Sequence, residues 1–368
     1  MSLNKKITPY YEFNLADIEK HYDLWHAAMK NRNRDDIIAY SIKANYDPEI
    51  IAFLKKKNAF FEVCSFNEYN YLLLQNVNAK NIIYNGQIRE YKHFEEMLNN
   101  NTLVLLESEK SVAYALRYRG DGEIGIRCNI DHIKKESGLF YKKESRFGIS
   151  DIENVINQIN KNTNLSIICL QAHCAGNSRS PDVYKLILNE LCRIAINNNM
   201  PHLKCLDVGG GYKIDIRYWN EASYVDILTD VLEQNKMSNV KIIYEPGNSL
   251  VRTSGKYVTT IIDKKIINNK IFLMVDGSVV HLPFLKKGIM PTYKLPSKRK
   301  SKLFKQTIAG ITCKESDIIL ELKNETELQV GDTIEFDNVG AYTVNEIADF
   351  LIEKPHFYYE YDTGIKIL

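Results

Sequence analysis

The sequence predicts an α/β chain: a (β/α)8 barrel of the TIM type over residues 12–252, then a C-terminal all-β domain formed by 253–368 with 1–11 added. Two observations carry this expectation. Short apolar runs recur at even spacing through the first part of the chain, with helix-like stretches in most of the gaps. After about residue 250 the helix-like stretches thin out and strand-like segments follow one another directly.

Taken in order, the apolar runs are IIAYSIKA (37–44), FFEVCS (60–65), NIIYNG (81–86), LVLLES (103–108), EIGIRCN (123–129), SIICLQAHCAG (166–176), CLDVGGG (205–211) and KIIYEPG (241–247). They are continuously apolar where a one-sided strand would alternate, as parallel strands covered on both faces require. Between them, DPEIIAFLKKK, SFNEYNYLLLQ, SDIENVINQIN and SPDVYKLILNELCRIAI have helical apolar spacing. Further on, YVTTIIDKK, KIFLMVDGS, DIILELK, DTIEFDNV and YTVNE read as strands. KITPYYEFN, ahead of the first helix, is expected to add a strand to that second domain. The basic, proline-interrupted stretch 286–305 reads as a solvated loop.

The chain has 368 residues, 45% of them hydrophobic, which is enough for two cores. Its 48 basic residues nearly cancel 46 acidic ones, leaving a net charge of +2 and no footprint for nucleic acid. No window reaches the roughly 18 apolar residues of a membrane span. The opening MSLNKKITPYYEF lacks the apolar stretch of a secretory leader. Seven cysteines without a CxxC pair fit a reducing compartment, so a soluble, cytoplasmic protein acting on a small molecule is expected. No metal set is read.

Barrel active sites lie at the C-terminal ends of strands. There the sequence puts Lys43, Glu62, Asn85, Arg127, His173, the glycines 209–211 and Glu245. Singly, each has an ordinary reading: a strand-ending lysine faces water, a buried histidine is a satisfied core group, a strand-end arginine is structural. DVGGGY serves equally as a tight turn or as an anion cradle, where missing Cβ atoms let N–H groups approach a phosphate. Together the residues supply the protein's side of pyridoxal phosphate binding. They offer an amine, a phosphate cradle, an aromatic ring to stack, and a carboxylate to keep the ring nitrogen protonated.

From TPYYEF through YSIKAN, EVCSFNE, SRFGI, AHCAGN, DVGGGY, YEPGN and GITCKESDI to VGAYT, the motifs follow one family's order. The chain resembles, over nearly its whole length, the fold-type III pyridoxal-phosphate decarboxylases that act on ornithine, arginine and diaminopimelate. The resemblance implies that Lys43 bonds the cofactor and that His173 stacks on its ring. It implies that Gly209, Gly210 and Gly211 bind the phosphate, that Glu245 pairs with the ring nitrogen, and that Glu62 lies near the bonded lysine. Tyr342 would reach the cofactor or its phosphate. Cys313 would enter the neighbouring subunit's site and protonate the substrate α-carbon after carbon dioxide leaves, so a homodimer with shared active sites is implied.

Three positions depart from that family's pattern. EPGN puts Asn248 where the family has a phosphate-contacting arginine. HCAGN puts Gly176 where it has a serine, with Asn177 or Ser178 as stand-ins. CKESD puts Lys314 where it has an acid that holds the substrate's distal ammonium. A cation there repels a basic side chain. The expected substrate is therefore an amino acid, or amino-acid-like group, with an acidic, conjugated or otherwise non-cationic distal end, of the siderophore or natural-product type. Arg127, Glu315 as a substitute acid, and His281 are further candidates for substrate contact, with a surface role as the other reading of His281. The alternatives are an ordinary ornithine-, lysine- or diaminopimelate-type decarboxylase, an amino-acid racemase, and a non-catalytic cofactor-binding homologue. Glu245 and Cys313 stand against the racemase, which the resemblance would give an arginine and a tyrosine there.

Overall fold

The computed structural model describes residues 6–133, 144–173, 179–214, 219–283, 285, 290–296, 301–348, 350–361 and 364–367. Gly176, Asn177 and Ser178 of the AHCAGN motif lie outside the described residues.

The chain opens with β1 (Tyr10–Asn14) and α1 (Leu15–Asn31). Strands and helices then alternate: β2 (Ile37–Ser41), α2 (Pro48–Lys56), β3 (Phe60–Val63), α3 (Phe66–Leu74), β4 (Ile82–Tyr84), α4 (Tyr91–Asn99). They continue as β5 (Leu103–Leu106), α5 (Glu109–Arg117), β6 (Asp121–Arg127), α6 (Ile152–Asn162), β7 (Asn164–Gln171) and α7 (Pro181–Asn197). The series ends with β8 (Cys205–Gly210), α8 (Glu221–Gln234), β9 (Lys241–Glu245) and the short α9 (Asn248–Val251).

β2 to β9 form a closed barrel, every neighbouring pair parallel, and β9 returns to β2 through Ile37↔Ile243. Both faces of these strands are covered, which is why their central residues run apolar without alternation. Ala39, Ile83, Leu105, Ile168, Cys169, Cys205 and Ile243 make a buried apolar cluster contributed by six of the strands. Local chemistry sets the helix starts. Ser65 caps α3 by accepting from the Glu68 amide, and Ser108 and Asn220 form capping boxes with Ser111 and Ser223 at α5 and α8. Such a cap contributes about 1 kcal/mol. Pro181 starts α7, where its missing N–H costs nothing.

Beyond the barrel come β10 (Gly255–Ile267), β11 (Lys270–Val275), β12 (Tyr293–Lys294), β13 (Lys302–Ala309), β14 (Ile318–Thr326), β15 (Thr333–Asp337), β16 (His356–Tyr361) and β17 (Gly364–Ile367). With β1 they form one sheet in the order β14-β13-β11-β10-β1-β16-β17, while β15 joins β10 and β12 joins β15. KITPYYEFN thus supplies the strand expected of it: β1 pairs antiparallel with β10 and parallel with β16. By internal contacts the chain divides into a barrel unit (His21–Lys43 and Ile50–Ser249) and a β unit (Met1–Lys20, Ala44–Glu49 and Leu250–Leu368). Among the described residues no helix is long and apolar enough to cross a membrane.

Two expectations about the β unit are corrected. YTVNE is a turn followed by a 3-10 helix over Val344–Glu346, because Tyr342 takes a left-handed backbone (φ 55°) that ends any strand. The stretch 286–305 is not loop throughout, since it contains β12 and the start of β13. There exposed Lys302, Phe304 and Lys305 precede the buried residues Gln306 to Ala309, so the apolar pattern surfaces only in the strand's second half.

Candidate active site

At the C-terminal mouth of the barrel, β2 stops at Ser41 and a 3-10 turn, Ile42–Ala44, carries Lys43. The Lys43 ammonium lies 2.6 Å from Glu62 Oε2, and the Ser41 hydroxyl donates to the same oxygen. Glu62 is the penultimate residue of β3 and is almost wholly buried. Burial alone would lower the ionisation of Lys43. The carboxylates of Glu62 and Glu245 outweigh it and hold the amine above the ordinary lysine value. A lysine that merely ended a strand would have no such pair of carboxylates beside it.

Glu245 ends β9 on the same mouth. Burial, and then the Glu62 carboxylate, push it up to about 7 against the pull of Lys43. Its Oε1 accepts from Asn85 Nδ2 at 3.3 Å; Asn85 Oδ1 in turn accepts from Arg127 Nη1 at 3.2 Å. Arg127 also lies 3.6 Å from Glu107 and packs over the Phe147 ring, 4.6 Å from its centroid. Arg127 is therefore tied to Glu245 through one amide. Asp207, two residues before Gly209 on β8, is fully buried and accepts from the Gly209 amide at 2.8 Å. Burial and the adjacent Glu245 hold it well above the ordinary carboxylate range, since two buried acids side by side resist ionising together.

The glycine turn needs its glycines. Gly209 and Gly211 have φ of 72° and 91°, and a Cβ on Gly209 would meet His173 Nδ1 at 2.6 Å. A Cβ on Gly211 would meet the Arg179 Nη1 atom at 1.8 Å. Behind the turn stands a packed aromatic group: the rings of Tyr184 and Tyr212 stack at 4.6 Å, and Tyr224 and Trp25 each meet Tyr212 at 5.0 Å. The Tyr212 hydroxyl donates to Gly209 O at 2.6 Å and the Tyr184 hydroxyl to Gly210 O at 3.0 Å. The turn is thereby held rigid from the outer layer. Asn248 is exposed at the first position of α9.

The barrel unit therefore brings together Lys43, Glu62, Arg127, His173, Gly209, Gly210, Gly211 and Glu245. Reading strand ends alone misses Asp207, Glu107 and Arg179. Arg179 lies two residues beyond the AHCAGN motif, and its contact with Gly211 O is made only by the fold.

The remaining candidates belong to the β unit. Cys313 is exposed on the loop between β13 and β14. That loop is fastened by Asp317, whose buried carboxylate accepts from Ser278 Oγ at 2.9 Å and from the Val279 and Thr312 amides at 2.8 and 3.1 Å. The Gly310 amide closes the loop on Asp317 O at 2.8 Å. Lys314 places its ammonium 3.6 Å from the centroid of the Phe350 ring, while Glu315 is exposed. His281 is not a surface residue. It is buried, its Nδ1 meets the Tyr257 hydroxyl at 2.8 Å, and burial pushes its ionisation down to about 4. Tyr342 is partly exposed, its amide bonded to Ala44 O at 2.8 Å.

Residues 15–252 match the family model of the pyridoxal binding domain of pyridoxal-dependent decarboxylases. A diaminopimelate decarboxylase of Helicobacter pylori is 26% identical over 359 residues, covering 91% of this chain and 85% of that one. The crystal structure of a diaminopimelate decarboxylase from M. jannaschii has the same fold at a TM-score of 0.84, with 20% identity over 98% of this chain and 89% of that one. An arginine decarboxylase of Paramecium bursaria Chlorella virus, bound to agmatine, follows at 0.80, with 19% identity and 97% of both chains covered. The site's own chemistry fits a pyridoxal phosphate group. The mouth offers a lysine ammonium paired with a buried carboxylate, a buried acid still holding a proton up to about pH 7, and a glycine cradle that a single Cβ would fill.

Proposed function

We propose, on the premise that this chain belongs to the pyridoxal-dependent decarboxylase family and is a pyridoxal-phosphate-dependent amino-acid decarboxylase, that its substrate has a distal end other than a free ammonium. The observation that carries the catalytic part is the 2.6 Å pairing of Lys43 with Glu62 beside a buried Glu245. When bound, the cofactor supplies an electron-withdrawing ring that takes up the electron pair left on the substrate α-carbon as carbon dioxide departs.

In this reading Lys43 holds the cofactor, and Glu62 accepts the proton its ammonium must shed before the amine can react. Glu245 keeps a proton at the ring nitrogen, steadied by Asn85 and by Arg127 behind it. His173 packs against the ring face, and Gly209, Gly210 and Gly211 cradle the phosphate with Tyr342 as a further contact. Cys313 delivers a proton to the substrate α-carbon of a neighbouring subunit, from a loop that Asp317 fixes. The role given to Cys313, which acts in a neighbouring subunit's site, requires a homodimer. Cysteine usage supports a cytoplasmic site of action.

The substrate class rests on Lys314, whose cation replaces an acid in the family's pattern. Its stacking on Phe350 contributes about 0.5–1 kcal/mol at an exposed site, little enough for a substrate carboxylate to compete. One observation favours a second reading. With Lys314 stacked and Glu315 exposed, Glu315 could take the distal ammonium of an ordinary basic amino acid, as the names of the relatives suggest. The loaded enzyme, given acidic, conjugated and basic amino acids side by side, distinguishes the two by carbon dioxide release. The first reading expects ornithine, lysine and diaminopimelate to trail by about tenfold or more in kcat/KM. A basic amino acid as best substrate favours the second, and no release from any amino acid defeats both.

A further inference from the structure

The cofactor's phosphate would carry close to two negative charges at neutral pH. Peptide N–H groups and a glycine turn bind such a group, but partial burial calls for a full positive charge as well. Asn248 is neutral. Lys43 is committed to Glu62, and Arg127 to Asn85 and Glu107. Among the described residues, the further cation that touches the glycine turn is that of Arg179.

We propose that Arg179 is the cationic anchor of the cofactor phosphate in this chain, replacing the charge that Asn248 lacks; this rests on the cofactor reading above. Three independent features support it. The Arg179 Nη1 donates to Gly211 O at 3.0 Å and sits where a Gly211 side chain would be, with His173 Cε1 3.7 Å from that same point. The guanidinium therefore lies on the side of the turn that faces the histidine. Next, Arg179 has a left-handed backbone, φ 53°, which a long, non-glycine residue seldom adopts unless its surroundings hold it there. The enforcing contact is visible: the Tyr224 hydroxyl donates to Arg179 O at 2.9 Å and also bonds Lys213 O at 3.0 Å. The same tyrosine thus fixes the arginine's backbone and the far side of the glycine turn. Finally, Tyr184, which holds Gly210 O, also lies in hydrogen-bond reach of the guanidinium. A planar guanidinium with five donors suits a phosphate better than an ammonium does, so Arg179→Lys should restore only part of what Arg179→Ala loses.

The test uses the full-length protein stripped of cofactor and titrated with pyridoxal phosphate, with pyridoxal, and with inorganic phosphate as competitor. Arg179→Ala should bind pyridoxal phosphate roughly ten- to a hundredfold more weakly, the scale of hydrogen bonds to charged groups. Its affinity for pyridoxal, which lacks the phosphate, should be unchanged, and inorganic phosphate should cease to compete. Adding Asn248→Arg to Arg179→Ala should recover part of the loss by returning a cation from the other side. Unaltered affinity for pyridoxal phosphate in Arg179→Ala overturns the proposal. So does equal weakening toward both ligands, which would mean that the loop had simply been disturbed. A wild type that binds no pyridoxal phosphate defeats this proposal and the decarboxylase reading together, whereas an unaffected Arg179→Ala defeats this one alone.

Discussion

Replacing Glu245 by glutamine in cofactor-free protein should stabilise the barrel unit, by an amount that grows as the pH rises. Glu245 ionises at about 7 in the folded protein, against an ordinary 4.5. Between those values the folded chain holds a proton that the unfolded chain has lost, so wild-type stability falls as pH rises through that window. Below 4.5 both states are protonated and the penalty is absent; above about 7 it is complete. The displacement corresponds to about 3 kcal/mol, at 1.36 kcal/mol per pH unit. Glutamine has the same shape, can keep the Asn85 contact and does not titrate. It also relieves Asp207 of a like-charged neighbour, which acts in the same direction. Both tryptophans, Trp25 and Trp219, lie in the barrel unit, and Trp25 is fully buried. Denaturant unfolding followed by their fluorescence therefore reports on the relevant core. The gap between variant and wild type should be near zero at about pH 4.5 and approach, as an upper limit, about 3 kcal/mol at about pH 8. A gap independent of pH, or a variant that loses stability relative to wild type as the pH rises, would refute the placement of Glu245 as a buried acid facing Glu62.

Two further outcomes are expected. Mixed after dissociation, inactive Cys313→Ala and Lys43→Ala should regain up to about a quarter of wild-type activity, because half the dimers are hybrids with one intact site in two; no recovery despite confirmed exchange speaks against a site shared between subunits. Lys314→Asp should shift the preference between anionic and cationic side chains by about 1–3 kcal/mol in relative kcat/KM; an unchanged ratio would place Lys314 away from the substrate.

The barrel was legible because its strands are buried on both faces, so Ile37 to Ser41 or Leu103 to Leu106 stand out as unbroken apolar runs. The β unit was less so. In β13, exposed Lys302, Phe304 and Lys305 mask the strand until its second half, and YTVNE has β-forming residues in a segment that a left-handed Tyr342 turns aside. In the site, Lys43, Glu62 and Glu245 could be found because a barrel fixes which end of each strand carries chemistry. Asp207 and Arg179 could not, because their significance comes from contacts with Gly209 and Gly211. The stacking of Lys314 on Phe350 was equally hidden, since the two meet only through the fold of the β unit.

The central claim is that Lys43 is the residue on which this protein carries its cofactor. Reducing the loaded protein with borohydride and mapping its peptides tests that directly, because reduction makes the attachment permanent. The pyridoxyl group should be found on the peptide containing SIKANY, at Lys43, and Lys43→Ala should carry none. A pyridoxyl group on another lysine, with Lys43 unmodified, would contradict the account.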